Sequence, residues 1–288
     1  AKAWAGLAST YVLFHPSEYD IKQYTPDESL RLTEQAARHA LALDDRSAEA
    51  YVALAYGLAH RGRLTEAADA FQRAIAIDPR YPTARQWYTG TLAMTGKIPE
   101  GLEQILAAQR LDPLSLVIGV EVGEWLDVVG RRAEAATQYE RMLERYPNVY
   151  LLNYFGGLHF LIDHDFDRAA GLLGHMAVDL GADSAAGSRL AAGIRNPSTR
   201  AATLRAIANG DPRPEFVAVN TQPESAIAAN RALGDEDGAM RALERSVDGP
   251  AYQRIYVAST MAVLGPDLRG RPGAQAAFQR LVRRLRGQ

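Results

Sequence analysis

The chain has 288 residues and a mass of 31.4 kDa, enough for one large domain or two ordinary ones with a core that needs no covalent staple. It contains no cysteine, which excludes a disulfide framework, a thiolate nucleophile and Cys-ligated zinc and leaves the compartment open between cytoplasm and periplasm. Its 34 acidic and 32 basic residues give a net charge of −2, without the clustered positive excess that direct nucleic-acid contact requires, and no apolar stretch approaches the roughly 20 residues of a membrane span.

Trp4, Leu7, Ala8 and Tyr11 set a helical spacing close to Ala1 with no capping residue before it, which predicts a fragment of a longer chain opening directly on a helix. An insertion over 12–24 lengthens the connection that follows. Thr25-Pro26-Asp27-Glu28 then supplies an N-cap, a proline at the first helical position and a capping-box glutamate, so the second helix starts there.

Pro79, Pro113 and Pro147 recur at intervals of 34 and close similar phrases, AIAIDP, AQRLDP and LERYP. With each proline at position 32, repeats fall at 48–81, 82–115 and 116–149, and Gly62, Gly96 and Gly130 share one turn position between two helices. A period of this length is the signature of a two-helix solenoid. In 48–81, Tyr51, Leu54, Ala55 and Leu58 line the first helix and Ala67, Phe71 and Ala74 the second, the stripe that a helical hairpin buries. Alanines at the crossing let the helices approach to about 8–10 Å. The proline lacks an N–H and crowds the residue before it, so the second helix ends there.

From 150 the phase persists at Gly157, Phe160 and Ala169 but has Gly181 where the proline would stand. Beyond 182 the repeats decay, yet Asn196-Pro197 opens a helix, 225–247 reads as a hairpin and Pro272 starts a final helix. The expectation is an all-α chain with no sheet: an α-α superhelix of about eight helix pairs, regular in 48–149 and degenerate after 182. Two domains follow, a regular superhelix over 1–181 and degenerate repeats with a capping helix over 182–288.

The landmarks W/Y-x-x-L-A/G-x-x-Y/L, G-R-x-x-E-A, F/Y-x-x-A and D-P resemble those of tetratricopeptide (TPR) repeats. More narrowly, TARQWYTGTLAMTG (83–96) and LGPDLRGRPGAQAAFQRLVRRL (264–285) resemble the TPR-rich C-terminal regions of bacterial CadC-like winged-helix regulators, and of related adenylate cyclases and serine/threonine kinases. That resemblance implies a sensing or partner-binding region attached to an output domain. TPR domains that grip acidic C-terminal tails carry Lys, Asn and Arg along their first helices; here the line holds Ala5, Ser9, Val52, Tyr56 and Gln86, which implies no such clamp.

Candidate chemistry is sparse. His159, Asp163, His164, Asp165 and Asp167 cluster, but two ligands on one helix face do not complete a metal shell, and 164–167 fall at an interhelix turn. Gly234-Asp235-Glu236-Asp237-Gly238 lacks the alternating ligands of a calcium loop and reads as a turn. Arg269, Arg271, Arg280, Arg283, Arg284 and Arg286 read as the solvated face of a capping helix whose other side is Ala277, Phe278, Leu281, Val282 and Leu285. No phosphate-binding, nucleophile-elbow or zinc-protease motif occurs, so the expectation is no catalytic residue, no metal and no cofactor.

The remaining functional surface is the concave side of the first helices. Frame positions 2, 5, 9, 12 and 13 nominate Tyr56, His60, Gln86, Met94, Val120, Glu124, Asp127 and Tyr154. Aromatic, amide and carboxylate groups there suit a protein or peptide segment carrying Arg or Lys beside a hydrophobe. The alternatives are a small-molecule sensor and a structural scaffold that self-associates, as a homodimer for example, through an end of the stack.

Overall fold

A computed structural model describes residues 1–14, 24–220, 223–248 and 257–285. Among them every regular element is an α-helix, and the fold class is all-α, of the α-α superhelix type. The chain forms two compact units, one of residues 1–113, 249–257 and 278–288, the other of 114–248 and 258–277. The expected loss of repeat regularity at 181/182 falls inside the second unit.

The first unit holds α1 (Lys2–Leu13), α2 (Pro26–Leu43), α3 (Ala48–His60), α4 (Leu64–Ile77), α5 (Pro82–Met94) and α6 (Ile98–Leu111). The second holds α7 (Leu116–Val128), α8 (Arg132–Arg145), α9 (Tyr150–Ile162), α10 (Phe166–Asp179), α11 (Ser184–Arg195), α12 (Pro197–Ala208), α13 (Pro214–Asn220), α14 (Pro223–Ala232) and α15 (Glu236–Asp248). It also takes most of α16 (Val257–Arg269), kinked at Gly265, and the first turns of α17 (Pro272–Leu285). Eight pairs account for all of these but the short α13, which the sequence pattern does not announce. Residues 12 and 13 complete α1, and 15–23 of the expected insertion lie outside the described residues.

The 34-residue period is written into the turns. Arg63 N donates to Leu58 O, Lys97 N to Leu92 O, Arg131 N to Leu126 O and Asp165 N to Phe160 O, all at 2.8–2.9 Å. These are the six-to-one bonds of a Schellman cap, which needs a left-handed residue just before the donor. Gly62, Gly96 and Gly130 supply it at φ 71, 75 and 80, and in the fourth repeat His164 takes the same place at φ 64. Between pairs, Ile77 ends α4 and Asp78 goes extended (φ −130, ψ 92) ahead of Pro79. Asp44 and Asp78, one period apart, each accept an N–H two residues on, from Arg46 and Arg80.

The cores follow the stripe. In the first unit Phe71, Ala74, Ala55 and Tyr88 pack between α3, α4 and α5. In the second, Trp125, Tyr139, Leu152, Leu161 and Leu173 are fully buried. The α2 start is the expected capping box: the Thr25 hydroxyl accepts from Glu28 N at 3.3 Å while Thr25 N donates to Glu28 Oε2 at 2.9 Å. Thr25→Ala is expected to lower stability by about 1 kcal/mol, read as a shift in urea midpoint, with no change at the low-temperature limit of far-UV helicity.

Candidate functional site

In the first unit, α3 and α5 bring Tyr56, His60 and Met94 together with Trp87, which the repeat frame did not nominate. The Tyr56 ring stacks on His60 with centroids 3.8 Å apart and an interplanar angle of 24°, and lies 5.2 Å from Trp87. His60 Nδ1 sits 3.0 Å from Tyr56 O one turn back, which fixes the imidazole. Tyr56 itself is buried, whereas His60, Gln86, Trp87 and Met94 are each half-buried. Trp87 and Met94 pack on the same cluster as Tyr56. The surface is an apolar, aromatic patch, and Gln86 precedes Trp87 on α5. On the second-helix side, a cleft of about 430 Å³ between α4, α5 and α6 has Ile75, Tyr88 and Leu92 on its wall.

In the second unit the four nominated residues are all buried: Val120 2%, Glu124 5%, Asp127 4% and Tyr154 2% exposed. Asp127 is spent on structure. Its carboxylate receives His159 Nδ1 at 2.9 and 3.0 Å, and Arg132 Nη1 stands 3.3 Å away. Arg132 also pairs with Asp163 and donates to His159 O at 3.0 Å. His159 is thus a buried residue between two carboxylates, with Nε2 3.3 Å from Asp163 Oδ2; the interhelix turn occupies 163–165, Asp165 caps α10, and Phe166 and Asp167, expected in the turn, open that helix instead. Among the described residues no group of three or more His, Asp or Glu side chains could hold a metal ion.

Tyr154 meets the chain's own later helices. Its hydroxyl donates to Glu224 Oε2 of α14 at 3.4 Å, and Thr260 Oγ1 of α16 donates to the other oxygen at 3.0 Å. Burial pushes the Glu224 carboxyl above the ordinary carboxylate range, against its own backbone N–H and the two hydroxyl donors, which favour the charged form. Burial, and then the Glu224 charge, push the Tyr154 phenol well up. Further along the same contact, Arg231 of α14 donates to Val263 O at 3.0 Å and pairs with Asp267 at 3.1 Å. Pro266 lies against Gly130 at the end of α7.

The arginine cluster needs correction on this point. Arg269 is half-buried rather than fully solvated: it donates from Nη1 to Val128 O at 2.6 Å, at the C-terminal end of α7, where carbonyls lack helical partners. Arg271 pairs with Glu236 of α15. Arg283 and Arg284 are exposed as expected, Ala277 and Leu281 are buried, and Arg286 and the side chains of Val282 and Leu285 lie outside what is described.

Residues 48–81 match the model of the tetratricopeptide repeat, the frame in which the period was read. Among the curated proteins none matches the chain. A Parabacteroides merdae tetratricopeptide repeat protein of known structure is similar at 11% identity and a TM-score of 0.54, covering 91% of this chain and 99% of that one. Pseudomonas aeruginosa PilF is similar at 16% identity and a TM-score of 0.52, over 89% and 99% of the two chains. The Cut9–Hcn1 structure of the APC/C is similar at 12% identity and a TM-score of 0.51, over 96% of this chain and 52% of that one. At such identities the likeness is one of fold, an α-α superhelix, within which residues 48–81 match a tetratricopeptide repeat. Among the described residues no helix is long and apolar enough to cross a membrane.

Proposed function

We propose that the chain is a non-catalytic TPR module that binds a protein or peptide segment, with the contact concentrated on the first unit at Tyr56, His60, Gln86 and Met94 and joined by Trp87. What carries the reading is the half-buried aromatic and thioether patch on consecutive first helices of a matched TPR frame. Interfaces draw most of their energy from such groups. Val120, Glu124, Asp127 and Tyr154 are buried, with Asp127 held by His159 and Arg132 and Tyr154 by Glu224 of α14, so they are left out of the proposed contact.

This redistribution changes the expected ligand chemistry. With the Asp127 carboxylate taken by His159 and Arg132, a cationic ligand side chain draws on the face of Trp87 rather than on an ion pair. A hydrophobe beside Arg or Lys therefore remains the preferred segment. The wider reading, a sensing part of a larger bacterial regulator, rests on the resemblance of 83–96 and 264–285 to the TPR regions of CadC-like proteins.

Selection of a random-peptide phage library on the intact chain tests the proposal. The expected result is an enriched consensus pairing an apolar residue with Arg or Lys, whose synthetic peptide binds about tenfold more weakly to Met94→Glu. No enrichment, or a peptide indifferent to Met94→Glu and Gln86→Glu alike, contradicts it.

A further inference from the structure

Glu224 is 2% exposed, yet nothing in the proposed binding face uses it. It stands in the first turn of α14, where that helix meets both α9 and α16. Among the described residues the partners of its carboxylate are hydroxyls and an N–H, from Thr260 of α16, Tyr154 of α9 and its own backbone, none of them a cation. A buried carboxylate without a counter-charge is costly, because hydroxyl donors do not replace lost hydration of a full charge.

Among the described residues the surrounding charges are engaged elsewhere or exposed. On α14, Arg231 pairs with Asp267 of α16, two turns away from Glu224. On α9, Tyr150 stacks with Tyr154, their ring centroids 6.2 Å apart. On α12, Arg200 donates to the carbonyls of Ile194 and Arg195, and on α13, Glu215 faces Arg189 and Arg213. On α15, Glu236 pairs with Arg271, Arg241 with Asp235, and Arg245 donates to Ala208 O. Arg205 of α12 and Asp237 and Glu244 of α15 are exposed.

We propose that the contact of α14 and α16 with α9 is a proton-tightened clasp, with Glu224 as the group that senses pH. Protonation removes the buried charge and leaves a neutral carboxyl that can donate as well as accept. The direction follows from burial, which raises the carboxyl above its ordinary value of 4.5. A raised carboxyl contributes its full stabilisation below that ordinary value and loses it as pH climbs through the raised one. The clasp is therefore tight in mild acid and looser at neutral and alkaline pH. The inference concerns the closed contact alone and stands apart from whether the first unit binds a peptide.

Hydrogen exchange on the intact chain, with amide protection factors of α14 and α9 compared at pH 5 and pH 8, tests it. The wild-type factors are expected to fall about tenfold for each unit by which the carboxyl is raised, and Glu224→Gln, a mimic of the protonated form, to hold the acid value at both pH values. Tyr154→Phe removes a donor that favours the charged carboxylate, so its transition is expected at higher pH than the wild type's. Equal wild-type protection at both pH values, the same fall in Glu224→Gln, or an unshifted transition in Tyr154→Phe would each overturn the proposal.

Discussion

Asp127→Ala is expected to destabilise the second unit by about 3–5 kcal/mol, read as a lowered urea midpoint by tryptophan fluorescence. Asp127 is 4% exposed and accepts from His159, whose side chain is fully enclosed, while Arg132 lies 3.3 Å away. Removing the acceptor strands a buried imidazole N–H and leaves the guanidinium with Asp163 alone. Trp125 sits two residues earlier on α7, also buried, so its emission reports the same region. A midpoint within about 0.5 kcal/mol of wild type, the scale of a surface substitution, would mean that Asp127 faces solvent as an open groove requires.

Gly187→Ala carries the other large effect, and its sign is the informative part. Alanine inside a helix normally gains about 0.5–1 kcal/mol over glycine. At Gly187 a methyl would stand 2.6 Å from Gly174 O, and the reciprocal methyl at Gly174 would stand 2.9 Å from Gly187 O. The obstacle is backbone on both sides, so α10 and α11 must separate. The expected cost is about 3 kcal/mol, at the upper end of overpacking. Gly171, also on α10, has nothing within 4 Å of its added methyl, so Gly171→Ala is expected to stabilise. Thermal melts of the two variants moving in the same direction would contradict the close crossing.

The repeat frame was legible because its signals are local and periodic. Three prolines and three glycines fix one phase, and the caps at Ser47 and Ser115 and the turn aspartates at 44 and 78 obey it in the structure. The same phase even reaches His164, where a left-handed turn is held without glycine. The candidate site was legible only in part. Frame positions specify which side of a first helix faces inward, and Tyr56, His60 and Met94 do gather on one patch. Position in a frame says nothing about what arrives there from far along the chain. The contact of Tyr154 with Glu224 spans 70 residues, and that of Arg269 with Val128 spans 141. The helices that make them lie in the decayed repeats, whose periodicity gives no register. Glu224 follows a proline at the start of a helix, amid alanines, a pattern that suits an enclosed glutamate as well as a solvated one. Trp87 falls at frame position 6, outside the nominated positions 2, 5, 9, 12 and 13, although its half-buried ring reaches Tyr56.

Hydroxyl-radical footprinting of the intact chain measures most directly whether the second unit has its inward face taken up by its own later helices. Tyr154 is 2% exposed and Tyr139 1%, whereas Tyr146 is half-buried, so three tyrosines of one unit calibrate one another. Oxidation of Tyr154 as slow as that of Tyr139 is the expected result. Oxidation as fast as that of Tyr146 would show an open inner wall and return Val120, Glu124, Asp127 and Tyr154 to the recognition surface.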